Sequence, residues 1–170
     1  MKLLKDPKAL VIAQFVLMGL LFFWPDQKDA FGFFSILFAF CGVIFFFVGI
    51  ILVILAIRSL FAYSLPKLTG DFKQKATQAF RVVWPEPGAE AKLIQTGVFK
   101  RMRHPVYAGL LWMAYGIGIA SGFAQLFFAV VLHVVLFNKA ALEEGYLSQK
   151  FANYKTYAET TGRFWPKVDD

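Results

Sequence analysis

A chain of 170 residues that is 58% hydrophobic and only 17% charged carries more apolar surface than a soluble domain of that size could cover. Its apolar residues, 21 phenylalanines among them, come in long blocks rather than short alternating runs, which points to lipid as the solvent and to one helical domain without a separate soluble one. The net charge of +7 does not mark a nucleic-acid binder, because the basic residues crowd the connections between apolar blocks, and the single cysteine, Cys41, excludes an internal disulfide and a thiolate metal cluster.

Four apolar blocks follow one another. The first covers residues 9–24, behind Lys2, Lys5 and Lys8. Basic residues ahead of an apolar stretch resemble a signal peptide, but the far end reads Leu21-Phe22-Phe23-Trp24-Pro25, without the small residues a signal peptidase needs. The block reads as a retained helix with an aromatic interfacial anchor. The second block, residues 30–60, is interrupted only by Arg58. As a helix it would be roughly 45 Å long against a hydrocarbon core of ~30 Å, so it must tilt or project. The third and fourth blocks, residues 106–120 and 123–137, are separated only by Ser121-Gly122. Each would be about 22 Å long, short for a full crossing, and together they read as a helical hairpin with a tight turn. From Asn138 onward the tail reads as a polar extension of the fourth helix, placing Tyr146, Phe151, Tyr154 and Tyr157 partly on one face.

The expected fold is therefore an all-α integral membrane protein of about four transmembrane helices with a C-terminal helical tail. Its single domain divides into two N-terminal helices (1–65), a basic connection (66–105), the hairpin (106–137) and the tail (138–170). Basic residues are dense before the first block, between the second and third, and after the fourth, whereas Ser121-Gly122 has no charge and the turn at 25–29 sets Lys28 beside two aspartates. Four crossings put all three basic segments, and both termini, on the cytoplasmic side.

Two clusters on that side could carry chemistry. One is Arg103-His104-Pro105-Val106-Tyr107 at the start of the third helix. Pro105 suits a first turn, and a helix N-terminus exposes amides and partial positive charge that favour an anionic group, reinforced by Arg103. His104 and Tyr107, three apart, share a face, and Gly109 permits a close approach. The other cluster is Lys139, Glu143 and Glu144, which the hairpin brings back beside the first. Each feature has a plainer reading. Arg101 and Arg103 serve as topology signals, Lys139 and Glu143 as an i,i+4 ion pair, the two glutamates as a solvated face, and His133 as a polar contact between helices. His104 and His133 share no ligand-like spacing, so no metal site is expected. The residues alone reach a membrane protein with a cytoplasmic polar pocket.

The run from Ala91 to Gly109, with Leu93-Ile94-Gln95-Thr96-Gly97 and Arg103-His104-Pro105-Val106-Tyr107-Ala108-Gly109, resembles the signature of the isoprenylcysteine carboxyl methyltransferase and phospholipid methyltransferase superfamily. Glu143-Glu144, Leu147, Phe151, Tyr154, Tyr157 and Arg163-Phe164-Trp165-Pro166 resemble that family's second conserved region in order and spacing. Departures are Phe99 where the family often has tyrosine, Val98 where many members have proline, and Lys139 where the prenylcysteine enzymes have an arginine. The resemblance implies methyl transfer from S-adenosyl-L-methionine to a lipophilic or membrane-resident acceptor. It implies a cofactor site lined by Lys92, Leu93, Ile94, Phe99, Arg103, His104, Pro105, Val106 and Tyr107, with Glu143 holding a polar group of the cofactor and Glu144 supporting it. Lys139 or Arg163 would orient the acceptor. The minimal architecture resembles prokaryotic members, which places the chain in a cytoplasmic membrane. The alternatives are a reductase of the related sterol reductase type, whose members share the hairpin and an Arg-His-Pro segment, and a non-catalytic membrane scaffold.

Overall fold

The computed structural model describes residues 6–27, 31–64, 71, 74 and 93–167. Most of the basic connection expected over 66–105, Lys92 included, lies outside the described residues. Helix α1, Pro7–Phe23, starts where Asp6 accepts a hydrogen bond from the Lys8 N–H at 2.9 Å and Pro7 fills the first turn. After a 3-10 turn, Gly32–Phe34, α2 runs Ser35–Ser64, 30 residues that amount to about 45 Å of helix. A second 3-10 turn, Gly97–Lys100, leads to α3, Pro105–Ser121. Then follow α4, Phe123–Lys150, and the short α5, Tyr154–Thr160.

The helix from Gly32 to Ala62 and the one from Phe123 to Lys150 are long and apolar enough to cross a membrane, while α1 and α3, 17 residues each, are apolar but shorter. Large apolar side chains stand out from the bundle, Phe33 at 95% exposure, Phe23 at 88% and Ile36 at 86%, a surface that lipid covers without cost and water does not. The hairpin arms are unequal because α4 runs on past its apolar part, residues 123–137, through Asn138, Lys139, Glu143 and Glu144 to Lys150. The expected polar extension is thus present, but it does not carry the tail tyrosines on one face. The helix ends at Lys150, Phe151 turns extended, and Tyr154 and Tyr157 are buried on α5 whereas Tyr146 is exposed. The chain must reverse there to bring its last residues back to the start of α3.

Backbone bonds fix which ends lie together. Gln27 donates its N–H to Ser121 O at 2.9 Å, Phe123 donates its N–H to Gln27 Oε1 at 3.0 Å, and Gln125 Nε2 reaches Trp24 O and Pro25 O at 3.2 Å. Phe31 packs against Phe123 with tilted rings and centroids 5.0 Å apart. The loop after α1 and the start of α2 therefore cover the hairpin tip, so the starts of α1 and α3 and the ends of α2 and α4 share the opposite end. The core lies between α1, α3 and α4, with Leu21, Leu111, Leu132 and Leu136 almost fully covered.

Helices α2 and α3 pack antiparallel on glycine. Gly42 faces Gly116 and Gly49 faces Gly109, and the pairs are seven residues apart, two turns, on both helices. A Cβ at Gly42 or Gly49 would lie 2.5 Å from the facing carbonyl oxygen. Only residues without a side chain let two backbones approach so closely, and in lipid such packing replaces the hydrophobic drive available in water. One further glycine is conformational. Gly122 alone joins α3 to α4, with φ 129° and ψ −172°, a region essentially closed to other residues. Gly122→Ala is expected to lower stability by about 1–3 kcal/mol, read as a lower melting midpoint in a fixed detergent.

Candidate functional site

The site begins with backbone. After the turn at Gly97–Lys100, which Arg101 caps, Met102 bridges in parallel with Gly162 of the C-terminal tail. Arg103 N–H donates to Gly162 O at 2.9 Å, His104 N–H to Arg163 O at 3.0 Å, and Gly162 N–H to Arg101 O at 3.3 Å. A Cβ at Gly162 would sit 1.7 Å from the Trp165 carbonyl oxygen, so this crossing admits only glycine. Fully covered Pro105 then starts α3, and His104, 8% exposed, caps it. The tail is thereby fastened to the first turn of α3, which pins the side chains around it.

Glu144 is the hub. Its Oε1 accepts from Arg103 Nε at 2.9 Å, Arg163 Nε at 3.1 Å and His104 Nε2 at 3.2 Å, and its Oε2 accepts from Arg163 Nη2 at 2.6 Å. Burial would raise this carboxyl, but the bonds from His104, Arg163 and Arg103 and the Arg103 charge outweigh it and hold it well below the ordinary carboxylate range. Arg103 also donates through Nη1 to Ala158 O at 2.9 Å and to Thr161 O, tying α5 to the hub. The Arg163 guanidinium stacks on Phe137, 4.5 Å from the ring centroid, and buried Phe164 packs its edge against His104, His133 and Phe137.

Glu143 is placed differently. One helical step away, its side chain is 42% exposed, against 13% for Glu144. It accepts the Tyr107 hydroxyl and lies 3.6 Å from His104 Nδ1. The imidazole thus stands between two carboxylates, its ring parallel to that of Tyr107 at 5.4 Å. Lys139 completes the corner. Its ammonium sits 5.1 Å over the Tyr107 ring and donates to Gln14 Oε1 of α1 at 3.0 Å.

Arg103, His104, Tyr107, Lys139, Glu143, Glu144 and Arg163 are therefore brought into one cluster. Pro105 and Val106 belong to the helix start beneath it, and Leu93 and Ile94 are partly buried on the segment leading in. Phe99 takes part through its carbonyl, which accepts from Tyr157 Oη at 2.6 Å. Burial pushes the Tyr157 hydroxyl up and Tyr154 up to about 12, so neither exchanges a proton at neutral pH. Between the 95–100 segment and α5 lies an open cleft of about 220 Å³, lined by Gln95, Lys100, Asn153, Thr156, Tyr157, Thr160 and Thr161. The reading of the sequence did not find Gln14, although a lone amide inside an apolar block is a signal for a polar contact between helices. It also missed Thr161 and the Ala158 carbonyl, for which no sequence signal exists, since a backbone acceptor looks the same everywhere.

The arrangement offers one neutralised carboxylate as a scaffold, and beside it an accessible carboxylate, an aromatic face and an ammonium. A family profile described as phospholipid methyltransferase matches residues 37–154, from early α2 to the first residue of α5. No curated protein and no solved structure matches the chain.

Proposed function

Because the chain belongs to the phospholipid methyltransferase family, we propose that it is an integral-membrane enzyme of the isoprenylcysteine carboxyl methyltransferase-like kind, transferring a methyl group from S-adenosylmethionine to a lipophilic acceptor. Family membership and the two membrane-length helices make it a methyltransferase-type membrane protein. The cofactor, the acceptor and the placement of both termini in the cytoplasm are the proposal. The observation that carries it is the division of labour between neighbouring acids: Glu144 is used up by Arg103, His104 and Arg163, while Glu143 keeps accessible acceptor capacity.

The residues fit a zwitterionic sulfonium ligand. Glu143 suits an ammonium, and Lys139 already shows that the Tyr107 ring takes a cation on its face. When bound, S-adenosylmethionine supplies an electrophilic methyl group. Glu143, Tyr107 and His104 would hold its polar end, and Leu93, Ile94 and Phe99 would line the approach. His104 cannot turn away, because its ring is gripped by Glu144 and stacked on Tyr107. Displacement at carbon is governed by alignment, so the chain's main task is to present the acceptor in line. Lys139, braced by Gln14, orients it. Arg163 is a positioning residue that acts by holding Glu144. Membrane lipids surround the exposed apolar face and are the medium from which the acceptor enters; nucleic acid has no part in this reading.

Titration of the detergent-solubilised protein with S-adenosylmethionine tests the assignment. Glu143→Ala and His104→Ala are each expected to weaken binding about tenfold to a hundredfold, the size of a lost hydrogen bond to a charged group. Tyr107→Phe, which keeps the ring, should lose less. Unchanged affinity in both alanine variants would sink the site. Methyl incorporation from labelled cofactor into membrane lipid extracts, read by mass spectrometry, identifies the acceptor.

A further inference from the structure

One polar pair lies far from the cluster within the apolar span of the hairpin. Tyr115 of α3 and His133 of α4 meet at 2.9 Å between Oη and Nδ1. Both residues are only partly buried. An ionisable side chain at membrane depth is costly, and where it persists it generally serves a pathway or a ligand. Tyr115 is eight residues beyond Tyr107, about 12 Å along the helix, and His133 is ten residues before Glu143, about 15 Å.

The surroundings connect this pair to the cluster. Phe164 touches His104 with one edge contact and His133 with another, at centroid distances of 6.1 Å and 5.8 Å. Phe137, one turn above His133, carries the Arg163 guanidinium on its ring. Helix α1 packs on the other face of the hairpin, where Met18 and Leu21 meet Leu110, Met113 and Leu132. Nothing among the described residues hydrogen-bonds His133 Nε2. In the tautomer with the imidazole proton on Nε2, the phenol donates to Nδ1 and the ring offers one N–H donor in mainly apolar surroundings.

We infer that the Tyr115–His133 pair is a subsite for the lipid portion of a bilayer-borne amphiphile, with His133 Nε2–H donating to a carbonyl or ester oxygen while the polar head lies at the Arg163 and Lys139 end. A neutral oxygen acceptor is the chemistry that fits. A cation has no counter-charge there, and a carboxylate would be buried against a single neutral donor. Naming this molecule as the methyl acceptor rests on the methyltransferase reading, but the binding itself does not. Within that reading Tyr115 and His133 determine specificity along the acceptor's chain.

The test uses the full chain in nanodiscs and two probes, a long saturated fatty acid and the same acid with a carbon-13 ketone at mid-chain. Wild type is expected to bind the keto acid roughly threefold to tenfold more tightly, the size of one hydrogen bond in a membrane, and to shift its carbonyl stretch to lower frequency. His133→Phe should abolish both the preference and the shift. Tyr115→Phe, which frees Nδ1 and unfixes the tautomer, should reduce them. Equal affinity of wild type for the two probes overturns the inference, as does a shifted carbonyl band that persists in His133→Phe. If the variants only lower the melting midpoint while wild type shows no preference, the pair merely joins the helices and the inference also falls. S-adenosylmethionine titration of the same samples separates the two readings, because loss of the methyltransferase reading leaves the keto-acid preference intact.

Discussion

Glu144→Gln is expected to release the C-terminal tail from the start of α3 and, on the proposed methyltransferase reading, to cost most of the affinity for S-adenosylmethionine. The amide keeps the volume but loses the charge that two guanidiniums share and the second acceptor oxygen that Arg163 Nη2 uses. Removing one partner from a well-covered ion network leaves the others uncompensated, typically by about 3–5 kcal/mol, and partial exposure of Arg163 puts this case toward the lower end. Trypsin cleavage after Arg163 is the direct readout, because the 161–164 segment is protected only while Arg103 and His104 hold it. Combining Glu144→Gln with Arg163→Ala should cost less than the sum of the two, since both break one network. The pH dependence follows in sign. The folded carboxyl titrates below its ordinary value of 4.5, so its contribution is complete above that value and declines as the pH falls beneath it. A tail that stays protected in Glu144→Gln contradicts the hub assignment.

The second large effect is steric. Gly49→Val is expected to separate α2 from α3 and to remove the folded state in detergent. The first added carbon would lie 2.5 Å from the Gly109 carbonyl oxygen and 2.7 Å from the Met113 backbone nitrogen, and a backbone cannot rotate away as a side chain can. Overpacking a core costs about 1–3 kcal/mol when side chains can yield, and more where, as here, the obstacle is another helix. Gly116→Val should behave alike at the second contact, where the Gly42 carbonyl oxygen is 2.6 Å away. Gly19 and Gly145 supply the contrast. An added carbon there meets nothing within 4 Å, and replacement by alanine inside a helix should be neutral or stabilise by up to about 1 kcal/mol. Equal melting midpoints for Gly49→Val and Gly145→Ala would refute close packing as the source of the α2–α3 association.

What local chemistry governs was legible before any coordinates. A block of 30 apolar residues can do little but form a long helix, Ser121-Gly122 between two such blocks can do little but turn, and Pro105 marks a helix start because its missing N–H costs nothing there. Six of the seven residues of the cluster stood out by charge or aromaticity at the helix ends, whereas Arg163 was named only through the family resemblance. Local chemistry did not distinguish Glu143 from Glu144, and only the resemblance gave them separate roles. They are neighbours of the same type, and only the 100° step of the helix, set against the positions of Arg103 and Arg163, decides which becomes the hub and which stays open. Nor did the sequence show that α4 stops at Lys150 so that the tail can return, that Gln14 braces Lys139, or that the close approach read at Gly109 is to Gly49, with a second such contact between Gly42 and Gly116. Those contacts join residues 19 to 125 positions apart. No local period records them, because they come from packing whole helices rather than from any single stretch of chain.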